Sequence, residues 1–70
     1  MNDYLIIKEP KSKHKGGMHT FLLIVSALTQ HDAEEKAISQ DPMNFNNNDP
    51  CYCKTRAILL ERIKNTTFSI

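Results

Sequence analysis

Seventy residues with a formal net charge of +1 make one domain, spanning 1–70, near the lower size limit, where folding buries only about 60% of the surface that the unfolded chain exposes. So thin a core leaves little room for the roughly 300 Å³ of protected volume that a small-molecule pocket needs, and this favours an interaction module over an enzyme. The net charge is too small to imply general nucleic-acid affinity, so any electrostatic function has to come from clustering.

Residues 3–9, DYLIIKE, form a β-rich run with Tyr4 and Ile6 on one side and Leu5 and Ile7 on the other. It ends at Pro10, which has no ladder donor. Residues 18–28, MHTFLLIVSAL, are the most apolar segment, and their Thr, Phe, Ile and Val content predicts a second strand at the centre of the sheet. The connection between them, EPKSKHKGGMH, is bracketed by Pro10 and by Gly16 and Gly17, which predicts a hairpin tip. It concentrates charge: Lys8, Lys11, Lys13 and Lys15 against Glu9 give a local +3, more than the net charge of the whole chain.

The period changes at LTQHDAEEKAISQDP. Thr29 can cap, Asp32, Glu34 and Glu35 suit the anion-favouring first turns, and Ala33, Ala37 and Ile38 share one face, which predicts a helix over 30–40 stopped before Pro42. MNFNNNDP reads as a polar loop anchored by Met43 and Phe45. CYCKTRAILLERI alternates, with Cys51, Cys53, Ala57, Leu59 and Ile63 on one side and Tyr52, Lys54, Arg56 and Arg62 on the other, and predicts a third strand. The competing reading is a helix over 56–64, supported by Ala57, Leu59, Leu60 and Glu61. KNTT followed by FSI reads as a turn into a last short strand. The expected fold is α+β, in the order β-β-α-β-β, a small four-stranded antiparallel sheet with one helix packed on one face.

No catalytic pattern emerges. Cys51 and Cys53 lack a glycine elbow or a helix N-terminus that would activate a thiolate, Ser26 lacks a G-x-S-x-G setting, and the only two glycines are adjacent, which excludes a phosphate-cradling loop. His14, His19, Cys51 and Cys53 are the one soft-metal constellation, but C-x-C on a strand does not wrap a metal as paired C-x-x-C does. No cofactor is expected. Two strand residues separate the thiols by about 6.6 Å at Cα, the edge of what a disulfide tolerates, so both read as reduced. With no apolar run long enough for a membrane span and no secretory start, the chain reads as cytoplasmic.

The basic residues carry the functional reading. Lys11, Lys13, His14 and Lys15 form one cluster and Lys54, Arg56 and Arg62 a second, and the two make one surface if strand order brings them together. Against this stands the solubilising role of lysine at exposed edges. Tyr52 alone lies among the basic positions, so phosphate contacts fit better than base stacking.

The opening DYLIIKE, polar hairpin, strand ending VSAL and TQHDAEEKAIS resemble the β-β-α start of many small phage and mobile-element proteins, among them the anti-CRISPR proteins that bind type I surveillance complexes. The resemblance covers about the first forty residues. It implies a non-catalytic inhibitor of a host defence or host-control complex, acting in the host cytoplasm. Its partner would be a protein or a ribonucleoprotein complex, with contact to a nucleic-acid backbone also compatible. A nucleic-acid-binding regulator and an accessory structural protein are the other classes the same residues allow.

Overall fold

The computed structural model describes residues 1–61, with the backbone alone for His14 and Lys15. The described chain is α+β: a three-stranded antiparallel sheet with a helix across one face. Strand β1 (Asn2–Lys8), strand β2 (Phe21–Ala27), helix α1 (Gln30–Gln40), the one-turn helix α2 (Pro42–Phe45) and strand β3 (Arg56–Leu59) follow in chain order. The sheet order is β2-β1-β3.

The central strand is therefore β1, not β2 as hydrophobicity predicts. β1 pairs with β2 from Asn2↔Ala27 to Lys8↔Phe21 and with β3 from Tyr4↔Leu59 to Ile7↔Arg56. The apolar run of β2 suggests burial on both faces, yet Leu22 and Ile24 are 61% and 63% exposed. Apolar residues on two faces mark a strand as sheet-forming, but they do not fix its neighbours.

The alternation within β1 decides the core. Tyr4, Ile6 and Lys8 face the helix together with Val25 and Ala27 of β2 and Ala57 of β3, whereas Leu5 and Ile7 face the opposite side. Ala33 and Ala37 bring α1 close against the sheet, and Phe45 of α2 closes the layer. Small residues at this seam let the helix axis approach, so that Ile6, with no exposed surface, contributes on the order of 2 kcal/mol by burial.

The predicted helix matches in position and cap. Thr29 Oγ1 accepts from Asp32 N–H at 3.1 Å, satisfying a donor that the first helical turn leaves without an intrahelical partner. Helix α1 gives way to α2 at Asp41, whose side chain accepts from Asn44 N–H at 3.3 Å, while Pro42 takes the first helical position, where its missing donor costs nothing. Of the two predicted anchors of this segment, Phe45 is buried and Met43 is 86% exposed.

Two predicted elements change. The connection from β1 to β2 closes an antiparallel hairpin, but its body is a 3-10 turn at Ser12–Gly17, so β2 starts at Phe21 and not at Met18. The predicted third strand over 51–63 is shortened to Arg56–Leu59, with Leu60 and Glu61 already helical. Its fringe pairs as the isolated bridge Pro10↔Tyr52. Stepping from Ile7↔Arg56 to Pro10↔Tyr52 takes three residues on β1 and four on its partner, so one extra residue bulges out between them. Thr55 sits in that bulge, its Oγ1 donating to Phe45 O at 2.6 Å and its N–H to Asn47 Oδ1 at 2.8 Å. The sheet has three strands among the described residues, and the predicted fourth, FSI, lies outside them.

Candidate basic binding surface

Strand order answers whether the two basic clusters adjoin. Because β3 lies beside β1, the segment leading into it runs alongside the start of the 3-10 turn: Cys53 N–H donates to Glu9 O and Lys11 N–H to Cys51 O, both at 2.9 Å. Lys11 and Lys13 are exposed at this end of the sheet, as are Lys54 and Arg56. Arg56 is anchored by Glu9, Nη2 to Oε1 at 3.2 Å with both side chains partly in water, a pair worth no more than about 1 kcal/mol. Glu9 cancels much of its charge towards a partner. The side chains of His14 and Lys15 and the whole of Arg62 lie outside the described residues.

The bulge breaks the predicted shared face of Tyr52, Lys54 and Arg56. A single inserted residue reverses the side to which all earlier positions point. Arg56 stays on the face of Leu5 and Ile7, while Tyr52 turns to the helix side. Its ring there lies 5.9 Å from that of Phe21, and its hydroxyl donates to His19 O at 2.8 Å. Tyr52 thus serves packing and pins the return of the hairpin, so its ring is not a free stacking platform among the basic residues.

Lys8 corrects the charge count of the hairpin. It is only 2% exposed, and its Nζ donates to Asn47 Oδ1 at 3.3 Å and lies 6.0 Å from the centre of the Tyr52 ring. Burial pushes the Lys8 ammonium below the usual lysine range, and the nearby Asp49 and Cys53 oppose that shift. With Lys8 withdrawn, the formal charge left to the hairpin is Lys11, Lys13 and Lys15 against Glu9, +2 in place of +3, and of these lysines Lys11 and Lys13 are exposed among the described side chains. The alternation that sends Tyr4 and Ile6 inward was the signal for this, since Lys8 has the same parity.

Asn47 links Lys8 to the bulge, because its single carbonyl oxygen accepts from both Lys8 Nζ and Thr55 N–H. The Asn-rich loop holds itself in shape: Asn46 Nδ2 donates to Pro42 O, Asn48 N–H to Asn46 Oδ1 and Cys51 N–H to Asp49 Oδ1. Such short side-chain-to-backbone bonds are what Asn and Asp make most readily in turns. Above Lys8 opens a cleft of about 260 Å³ walled by Phe21, Tyr52, Met18 and Met43, below the usual size for small-molecule sites.

Cys51 and Cys53 are free and half-buried. Among the described residues, no group of three or more His, Cys, Asp or Glu side chains is placed to hold a metal ion, and no helix is long and apolar enough to cross a membrane. Comparison with family models, with characterised proteins and with solved structures gives no match.

Proposed function

We propose that the chain is a non-catalytic binding protein, of the kind by which a phage inhibits a host defence or host-control complex in the host cytoplasm. It acts through the basic surface of Lys11, Lys13, Lys54 and Arg56, extended by the neighbouring His14 and Lys15. The observation that supports this reading is the adjacency of β1 and β3, which turns two separate basic stretches of sequence into one charged end of the sheet. Clustered cations of this kind steer an anionic partner and speed its association. The partner is an acidic protein patch or a ribonucleoprotein, approached through its charge.

A tagged full-length chain tests this by capture from bacterial lysate with and without nuclease, beside a variant carrying serine at Lys11, Lys13 and Lys54. A partner retained after nuclease and lost with the variant is the expected result. A partner released by nuclease would make the chain a nucleic-acid binder, and a variant that captures equally would reduce the lysines to a solubility device.

A further inference from the structure

The two edges of the sheet are treated differently. The outer edge of β3 is capped by α1 at Ala57: Ala57 O accepts from Gln30 Nε2 at 2.7 Å and Ala57 N–H donates to Glu34 Oε2 at 3.3 Å. These two bonds satisfy backbone groups that would otherwise template a further strand. On β2 the helix reaches one group only, with Lys36 Nζ donating to Ser26 O at 2.7 Å. That contact identifies the outward-facing set, because in an antiparallel strand alternate residues aim both backbone groups at the same side. Leu22 and Ile24 share the parity of Ser26, and among the described residues their outward groups have no partner.

We propose that β2 is a dimerisation edge and that its occupant is a second copy of this chain, paired antiparallel about a two-fold axis at Ile24. The sequence FLLIVSA suits this pairing. Ile24 meets its own copy, Leu23 meets Val25, Leu22 meets Ser26 and Phe21 meets Ala27, so no like charges face each other across the axis. The strand itself contains no lysine, proline or glycine, the residues that natural edges use to resist pairing; among the described residues the one guard is Lys36, whose ammonium on Ser26 O has to share that carbonyl with the Leu22 N–H of the second copy. The two open faces join on one side, where the exposed Leu22 and Ile24 cover each other across the axis and extend the face of Leu5, Ile7 and Ile58. Seven paired residues make a strip about 23 Å long and one sheet, about 10 Å, deep. This is short of the roughly 1,200 Å² of a stable interface, so the dimer is weak and depends on concentration.

The test is the mass of the full chain by sedimentation equilibrium from about 10 μM to 1 mM, with amide exchange followed by NMR over the same series. The expected mass rises from 8.0 kDa towards twice that value, while the Leu22 and Ile24 amides become slower to exchange. Ile24→Lys, at an exposed side chain, sets two ammonium groups against each other at the axis and is expected to hold the mass at the monomer value with an unchanged folded spectrum. Ile24→Pro removes the central donor and is expected to do the same. A monomer at 1 mM would overturn the proposal. So would amides of Leu22 and Ile24 protected equally at every concentration, which would mean that the edge is covered from within the chain, and so would a dimer indifferent to Ile24→Lys.

Discussion

Lys8 and Lys11 stand three residues apart in the same basic stretch, and the fold sends them to opposite environments. Lys8 is the last residue of β1 and inherits the inward direction of Tyr4 and Ile6, so its ammonium is taken from water and given to Asn47 and the Tyr52 ring. Lys11 follows Pro10, where the strand ends, and its side chain stays in solvent while only its backbone is tied, to Cys51. A lysine's contribution thus follows from strand parity at its own position and not from the local charge density. One of the two holds the loop to the sheet, and the other is available to a partner.

The sharpest way to break this contrast is to remove the acceptor of Lys8. Asn47→Ala leaves a buried ammonium and the Thr55 N–H without their shared oxygen, and is expected to cost about 2–3 kcal/mol, because charged groups lose more than neutral ones when left unpaired. Chemical denaturation of variant and wild type measures it. A loss below about 0.5 kcal/mol would show that water replaces Asn47 and that Lys8 is not held as described.

Lys8→Met keeps the aliphatic stem against Tyr52 and drops a charge whose burial outweighs its partners, so at neutral pH the variant is expected to be as stable as the wild type or more stable by up to about 1 kcal/mol. Its pH dependence carries the sign. The Lys8 pKa is lowered in the folded state by burial, so the unfolded chain binds more protons than the native one between the lowered value and the ordinary 10.5. Stability contributed at Lys8 therefore rises with pH across that alkaline window and is lower below it. Melting curves of wild type and Lys8→Met, compared from pH 7 to 11, should show the wild type gaining relative to the variant; parallel curves would mean that the ammonium is fully hydrated.

At the other end of the contrast, serine in place of Lys11, Lys13 and Lys15 together is expected to shift stability by no more than about 0.5 kcal/mol, while association with an anionic partner slows and its salt dependence flattens. Thermal unfolding and stopped-flow binding at two ionic strengths separate the two effects. A loss of several kcal/mol would place these lysines inside the fold, beside Lys8. The smallest expected change is Glu9→Gln, which releases Arg56 from its partly exposed partner at a cost of about 0.3 kcal/mol. It should lengthen retention on a heparin column; unchanged retention would exclude Arg56 from the basic surface.

Local pattern was enough for several features. The helix over 30–40 with its Thr29 cap, the antiparallel pairing of the first two strands and the α+β class follow from period, capping chemistry and the Pro and Gly punctuation, which act over a few neighbouring residues. The exposure of Lys11, Lys13, Lys54 and Arg56 was equally legible from the turn and the alternation, whereas the buried Lys8 shows that charge alone does not keep a strand residue in water.

Three features needed the assembled sheet. β1 became central because β3 pairs on its free side, a choice made between segments about fifty residues apart that no local period encodes. The bulge between Ile7↔Arg56 and Pro10↔Tyr52 inverted the side of Tyr52, because Thr55 is drawn in by Phe45 O and Asn47 Oδ1, acceptors from just upstream in the chain that no strand period encodes. The burial of Lys8 was announced by parity but tolerated only through Asn47 and Tyr52, which the chain brings from about forty residues away. Sequence determines what each segment prefers to form; tertiary packing decides which polar groups find partners, since a buried donor is stable only where another part of the chain delivers an acceptor.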